Sequence, residues 1–558
     1  MSPAEDQERR HPHGLRQPHR RGGQRGDRPL LPSQELLSAH DASRRGDPRH
    51  ERRDRELSRA LPHGAHGPPP RVRRTPGGGL SRAVAGRDRA DARGRHQAGQ
   101  IDRSDDRPEA APGRAVLRGT KRRVTRPGGQ PSHGAEADGP PLVTDLLLRG
   151  CVLPGRPRLV DISIANGRIT ELLTHEPGVR APANERIDVG GRVVTPGLVE
   201  AHIHLDKALL SERLATGAES ALDAIRMVAE AKRGFTADDI RQRSCRVLDM
   251  AIAAGTTAMR VHVEVDPIIG LTSMETALAL KQEYAPAIDL RLCAFAQEGI
   301  LQAPGTEGLL RRALQMGADA IGGVPYNDRD ADQHIDIVFG LAQAFNVDVD
   351  FHIDFFDEPA HMHIRKVIDR THRTGWRGRV AVGHLSEASA LPAVEQKELA
   401  EDLAKAGIGV ISLPATDLYL MGRNDDINPP RGLAPIRRLL AADVPVALGT
   451  NNVRNPFTPV GTADLAHMAF LASVAAHMGT PQDLRTLVDC LTIYPARILR
   501  LPDYGIVQGC RADLVVWDCE RVEDIVAAQP FRPWVIKNGR VTVEHERRIR
   551  PRWKEGPR

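Results

Sequence analysis

Residues 193–210 read VVTPGLVEAHIHLDKALL. As far as Leu205 this is an almost continuous apolar run, the pattern of a strand buried on both faces in a parallel sheet. Successive side chains on a strand alternate faces, so His202 and His204 point the same way. At the end of a barrel strand they would share the lumen, within reach of one metal ion. A lone His-x-His is a weak signal, and its weight depends on what the rest of the chain places beside it.

Outward from this run, apolar strands alternate with amphipathic helices. Candidate strands are 193–205, 257–265, 288–296, 320–326, 347–354, 380–385, 408–416 and 444–452. Helical stretches such as ESALDAIRMVAEAKR, GTEGLLRRALQMG and LPAVEQKELAEDLAKAG lie between them. Eight strand-helix units predict an α/β fold, a (β/α)8 TIM-type barrel over 196–499, with its chemistry at the C-terminal strand ends. Those ends hold His202 and His204, His262 and Glu264, Gln297, Tyr326, His352 and Asp354, His384, and Asn451 and Asn452. Single histidines closing strands five and six turn the first His-x-His into a constellation. Three neutral imidazoles leave coordination positions open, as catalytic zinc requires. A bound divalent ion would lower the pKa of water toward 7 and polarise the bond under attack.

Short alternating stretches flank the barrel. DLLLRGCVLPG, VDISIANGRITEL and RIDVGGRVVTPG precede it, and ADLVVWD and WVIKNGRVTVE follow it. Their Asn-Gly and Gly-Gly turns mark hairpins. Residues 143–195 and 500–550 are therefore expected to form one small β-sandwich.

The first 142 residues are a different material. Residues 1–140 contain no Phe, Trp, Tyr or Cys and hold 29 Arg and one Lys against 18 acids, a net of +12. The whole chain has 78 basic and 72 acidic residues, so the remainder is 48 against 54, a net of −6. The foldable part is mildly acidic, which removes a whole-protein case for nucleic-acid binding. Such an Arg-, Pro- and Gly-rich segment cannot offset its ordering entropy and is expected to be a disordered extension. A basic arm, an inert tail and a misassigned start, with Val143 as the alternative, are the readings open to it. No apolar stretch reaches the roughly 18–20 residues that span a bilayer, and no secretory h-region opens the chain. Six scattered cysteines without a CxxC pair point to reduced thiols and a cytoplasmic location.

The motifs TPGLVEAHIHLDK, FAQEGIL, FHID, GHLSEAS, YLMGRNDDINPPRG and GTNNVRNPFTPVG together resemble the amidohydrolase superfamily. The similarity covers about residues 145–550 and is specific to the cytosine deaminase-like branch that includes the triazine-ring aminohydrolases, N-isopropylammelide aminohydrolase among them. It implies a metal-dependent hydrolase that cleaves a C–N bond of a small nitrogen heterocycle. It also implies His202, His204 and His352 as metal ligands, Gln297 as a contact to the ring amide, and His384 as the group that polarises water and leaving group. The superfamily's carbamylated lysine on strand four has no counterpart in AIGGVPY, so one divalent metal is expected, zinc or iron(II).

Two departures stand out against that resemblance. The strand-eight acid, a ligand that takes a proton from water, falls at Asn451, followed by Asn452. The proton-shuttling Glu after strand five falls at Phe355. General acid–base catalysis contributes typically about 10²–10⁴-fold, so ordinary deamination should be badly weakened. Asn451 can still lend a carbonyl oxygen to the metal. Asp354, Asp357 and Glu358 are possible substitute acids, Asp354 with its side chain turned from the lumen and Glu358 in the loop beyond. Lys207 either meets a carbonyl or anionic group of substrate or snorkels at the rim. Arg423 and Asn452 are candidate substrate contacts, while Asp417 and Arg431 are charged residues of the loop after strand seven. His262 and Glu264 read as supporting or packing residues. His361 and His363 read as a solvated pair on the helix after strand five, since residues two apart on a helix do not face each other. The alternative to an enzyme is a ligand-binding descendant of the same barrel that turns nothing over. The partner expected in either case is a small heterocycle, with no membrane, and a homo-oligomer is compatible with the pattern.

Overall fold

The computed structural model describes residues 144–178, 182–214 and 217–554. The arginine-rich extension over 1–142 lies outside the described residues.

Five strands come first: β1 (Leu146–Cys151), β2 (Val160–Ala165), β3 (Arg168–Thr174), β4 (Glu185–Asp188) and β5 (Val193–Pro196). The barrel strands follow: β6 (Leu198–Ile203), β7 (Thr256–Glu264), β8 (Asp289–Ala296), β9 (Ala320–Gly323), β10 (Asp348–Ile353), β11 (Val380–His384), β12 (Gly409–Ser412) and β13 (Val446–Leu448). Then come β14 (Leu514–Trp517), β15 (Trp534–Lys537) and β16 (Arg540–Glu544). One four-stranded sheet has the order β3-β2-β1-β4 and another β16-β15-β14-β5. Leu146, Leu148, Ile162 and Ile164 from the first sheet meet Val194, Leu514, Val516 and Ile536 from the second in one apolar core. The two chain segments thus close a sandwich that neither could complete alone.

The single strand read over 193–205 is two. Val193–Pro196 pairs with β14 in the sandwich, and β6 enters the barrel. The break falls at Pro196-Gly197, where a Cβ on Gly197 would sit 2.1 Å from the Thr257 hydroxyl oxygen. Only glycine lets the chain pass so close to β7.

The (β/α)8 barrel is made of parallel strands in the order β6 to β13. It closes where Asn451 N–H donates to the His202 carbonyl at 2.9 Å and His204 N–H donates to the Asn451 carbonyl at 2.8 Å. Closure therefore runs through the residues singled out for chemistry. The helices between strands are α1 (Ala221–Lys232) and α2 (Ala237–Ala253) after β6, α3 (Thr272–Glu283), α4 (Thr306–Gln315), α5 (Ala331–Phe345), α6 (Ile364–Thr374) and α7 (Ala393–Ala406). After β12 the chain turns into α8 (Pro414–Leu420). The strand read over 408–416 is thus shorter than expected, because Pro414, with its fixed φ and no N–H, opens a helix. His361 and His363 precede α6 and do not lie on it.

α1 covers the C-terminal mouth. Its Ala221, Ile225 and Val228 pack with Phe355, Leu420, Met421 and Phe457 from the loops after β10, β12 and β13. Ser220 caps it by accepting from Asp223 N–H at 3.1 Å, an interaction worth about 1 kcal/mol.

Candidate metal and catalytic centre

Strand alternation sends His202 and His204 inward, and both are fully buried. Glu200 shares their face. Its carboxylate accepts from the backbone N–H of His202 at 2.9 Å and of Thr450 at 3.0 Å, and from the Thr450 hydroxyl. Glu200 therefore ties the ends of β6 and β13 together beneath the histidines, and burial pushes its carboxyl up to about 7. The sequence reading missed it, although an acid inside an otherwise apolar strand was the available signal.

His352 arrives from β10. Its Nε2 lies 2.9 Å from Nε2 of His202 and 2.9 Å from Nε2 of His204. His262 from β7 stacks its ring 3.9 Å from that of His202, and His202, His262 and His352 offer nitrogen atoms all within 4.8 Å of one another. Burial first, then mutual repulsion, holds His202 and His352 well below the usual imidazole range, so these rings are neutral. His204 is lowered too, by burial and the nearby Lys207.

These atoms are fit for a divalent cation. A neutral imidazole Nε2 carries either one proton or one lone pair, so His352 can complete only one of its two contacts. The cluster lacks an electron-pair acceptor. The Oδ1 of Asn451 is also buried without a hydrogen-bond partner among the described residues. Gly383 makes the space, since a Cβ there would come within 2.7 Å of the His202 ring. Imidazole donors suit zinc or iron.

His384, at the end of β11, is held from three sides. Its φ is +71°, its ring stacks on Phe355 with centroids 3.8 Å apart, and its Nδ1 lies 2.7 Å from Asp417 Oδ1. Its Nε2 lies 3.5 Å from Asn451 Nδ2. Asp417, on α8, is wholly buried, and was read from sequence only as a charged loop residue.

On the other side stands Lys207. It is buried, not at the rim, and its ammonium donates to Gln297 Oε1 at 2.7 Å and pairs with Glu264 Oε1 at 2.8 Å. Phe457 faces it at 4.7 Å. Glu264 also pairs with Lys232 of α1, which lies 2.7 Å from both Asp266 and Glu298. The three carboxylates could have formed a second cation site, but the Lys232 ammonium occupies it. Burial pushes the Glu298 carboxyl up to about 8. Asn452 Oδ1 accepts from Asn455 Nδ2 at 2.6 Å, which fixes the loop beside Lys207.

The structure thus brings together His202, His204, His352, His384 and Asn451, with Lys207, Gln297 and Asn452 around them. It does not bring in the remaining candidates. Glu358 is exposed on the loop after β10. Asp354 turns away with φ +51° and caps α6, accepting from His363 N–H at 2.7 Å and Ile364 N–H at 3.0 Å. Asp357 accepts from Gly422 N–H at 2.9 Å. Arg423 is exposed and donates to the Ala218 carbonyl at 2.8 Å, so it latches the start of the α1 segment. Arg431 donates to the Ala475 carbonyl at 2.9 Å.

Glu387, three residues past His384, gives a pH prediction. Burial, then the neighbouring Asp354 carboxylate, pushes its carboxyl up to about 8. Tyr326 shares the pocket, its phenol raised by burial and by Glu387. An unfolded Glu titrates near about 4.3. Between those values the folded state holds a proton that the unfolded state has lost, so stability falls as pH rises through that window. Asp354, pushed up to about 7, contributes with the same sign. Glu387→Gln should therefore flatten the loss of melting temperature from pH 5 to pH 9. At the upper end the variant should be the more stable protein, by on the order of 1 kcal/mol. Parallel melting curves for variant and native protein across that range would contradict the assignment.

Comparison with known proteins bears on this geometry. A family model described as the amidohydrolase family matches residues 244–543. The chain is 28% identical over 414 residues to N-isopropylammelide isopropyl amidohydrolase of Pseudomonas sp. strain ADP, covering 72% of this chain and 98% of that protein. It is 29% identical over 387 residues to a pterin deaminase of Rhizobium rhizogenes, covering 68% and 87%. Among solved structures it is similar to 5-methylcytosine deaminase of Klebsiella pneumoniae bound to phosphonocytosine. That match has a TM-score of 0.69 and 28% identity, over 72% of this chain and 99% of that one.

Proposed function

The chain belongs to the amidohydrolase family, in its cytosine deaminase-like branch, and from that premise we propose that it is a metal-dependent hydrolase that cleaves a C–N bond of a small nitrogen heterocycle. The observation that carries the reading is the His352 Nε2 held 2.9 Å from both His202 and His204, in a buried cluster short of an electron-pair acceptor. His202, His204 and His352 would hold one zinc or iron(II) ion, with the Asn451 carbonyl oxygen beside them. When bound, such an ion supplies Lewis acidity that acidifies water and polarises the scissile bond.

The chain's own residues do the rest. The Lys207 ammonium and the Gln297 amide would face the ring's carbonyl or amide edge, and Glu264 fixes the lysine in place. α1 packs with Phe355 and Phe457 in an apolar layer over the mouth. His384 is the titratable side chain placed next to Asn451 that can accept and return a proton. The absence of a transmembrane-length apolar helix among the described residues and the six unpaired cysteines fit a cytoplasmic location.

A second reading has its own support. Phe355 stacks on His384 where the resemblance assigns an acid, which favours a site that holds a heterocycle without turning it over. Metal analysis and turnover against aminopyrimidines, aminotriazines, pterins and cyclic ureides distinguish the two. The enzyme reading expects about one divalent ion per chain and release of ammonia, amine or ring-opened product from one class. Tight binding across the panel without any product would support the second reading instead.

A further inference from the structure

We propose that Asp417 is a positioning residue that fixes the tautomer of His384, and that the pair carries the proton in place of the missing acids. This rests on the hydrolytic reading above.

The geometry defines the pair. Asp417 Oδ1 lies 2.7 Å from His384 Nδ1, and its Oδ2 accepts from Leu413 N–H at 3.1 Å. Both carboxylate oxygens are engaged and no water reaches the group, which is 0% exposed. Burial raises the Asp417 carboxyl, while His384 and the Leu413 N–H favour its ionised form; ionised, it only accepts, which puts the imidazole proton on Nδ1 and the lone pair on Nε2. That lone pair is on the side of Asn451, 3.5 Å away, toward the histidine cluster. Rotation that would exchange the two nitrogens is opposed by the Phe355 ring stacked at 3.8 Å. α8 is itself anchored, since Thr416 Oγ1 lies 2.6 Å from Thr458 Oγ1 in the loop after β13. Pro414 at its first turn starts the helix so that Asp417 points back at Leu413 and His384.

The step balances. Water's oxygen forms a bond to the ring carbon while its proton passes to His384 Nε2, and the C=N π pair moves onto the ring nitrogen. The imidazolium is balanced by the Asp417 carboxylate, whose ionised form is opposed by burial but favoured by His384 itself and by the Leu413 N–H. Nε2 then gives its proton to the exocyclic nitrogen. The C=N bond re-forms from the ring-nitrogen pair, the C–N bond breaks, and the amine leaves with the bonding electrons. The hydroxyl left on the ring relaxes to the carbonyl form. Neither Phe355 nor Asn451 can take part, Asp354 is held at the start of α6, and Glu358 is exposed on the loop after β10.

The test uses the full chain loaded with zinc, in native form and as Asp417→Asn and Asp417→Glu. Asparagine keeps the shape but presents an amide that can donate to Nδ1 and so places the proton on Nε2. With 15N-labelled histidine, and His384→Gln to identify the signal, native protein should show His384 protonated at Nδ1 and Asp417→Asn should show it at Nε2. On whichever panel compound is turned over, Asp417→Asn should lower kcat by about 10²–10⁴-fold with KM, zinc content and melting temperature little changed. Asp417→Glu, which keeps an acceptor, should recover part of the loss. A native His384 protonated at Nε2, or an Asn variant with the native tautomer or the native kcat, would overturn the proposal. If native protein turns over nothing, the hydrolytic reading fails, and the NMR result still decides the tautomer.

Discussion

His352→Ala is expected to hold no divalent metal after dialysis and to lose all turnover, while the barrel remains folded. His352 is the hub of the centre, with its Nε2 2.9 Å from both His202 and His204. Without it two of the three assigned ligands remain, both from one strand, short of the three protein ligands of a catalytic zinc site, and the adjacent His262 is turned to Asp350 at 3.4 Å. The loss should exceed the roughly 10–100-fold that removal of a mere supporting partner costs in metal affinity. The ring packs against Phe295 with centroids 4.3 Å apart, so its removal leaves a void. Truncations of that size cost about 2–5 kcal/mol, tolerable where the apolar core runs around the whole barrel. Elemental analysis and circular dichroism measure the two arms. His372→Ala, a change on the exposed face of α6, is the matched control and should keep its metal. Stoichiometric metal in the His352 variant, with normal secondary structure, would place the centre elsewhere.

The barrel was legible because parallel strands buried on both faces leave unbroken apolar runs, as in VAVGHL, and because those runs recur between amphipathic helices. The inward pair His202 and His204 followed from strand alternation alone. What stayed hidden is set by contacts across the fold. The partition of 193–205 between sandwich and barrel depends on Gly197 lying against Thr257, 60 residues on. Lys207 was ambiguous between site and rim because nothing local to HLDK decides it. Glu264 and Gln297 hold its ammonium, while Lys232 from α1 braces Glu264 from the other side. Asp417 looked like a solvated loop acid. It meets His384, 33 residues earlier, only because Pro414 converts the end of β12 into a helix. Arg423 shows the reverse case, a residue resembling a substrate contact that the structure places outside, on the Ala218 carbonyl.

Asn451→Asp is expected to tighten metal binding at least about tenfold, 1.4 kcal/mol, and to raise turnover of an accepted heterocyclic amine by about 10²-fold, the lower end of what acid–base catalysis contributes. The position is fixed before the side chain is chosen. Backbone hydrogen bonds at 2.9 and 2.8 Å tie residue 451 to both ends of the His-x-His, and its φ of +56° is one that Asn and Asp both tolerate. The Oδ1 of Asn451 is buried without a hydrogen-bond partner among the described residues, and its Nδ2 is 3.5 Å from His384 Nε2. An isosteric carboxylate there would offset the charge of a divalent ion among neutral imidazoles, and would add a base beside His384. With no metal the same carboxylate is an unpaired buried charge, so the metal-free variant should melt below metal-free native protein. Stability and metal affinity should therefore move in opposite directions, which a general loosening of the site cannot produce. Phe355→Glu removes the ring stacked on His384 and restores an acid at its face. Combined with Asn451→Asp it should gain more than the two single gains together, because both groups serve one proton path. Native protein that already deaminates a cytosine-like ring at ordinary enzyme rates, on the order of 1–10³ per second, would refute the claim that these two positions limit the chemistry.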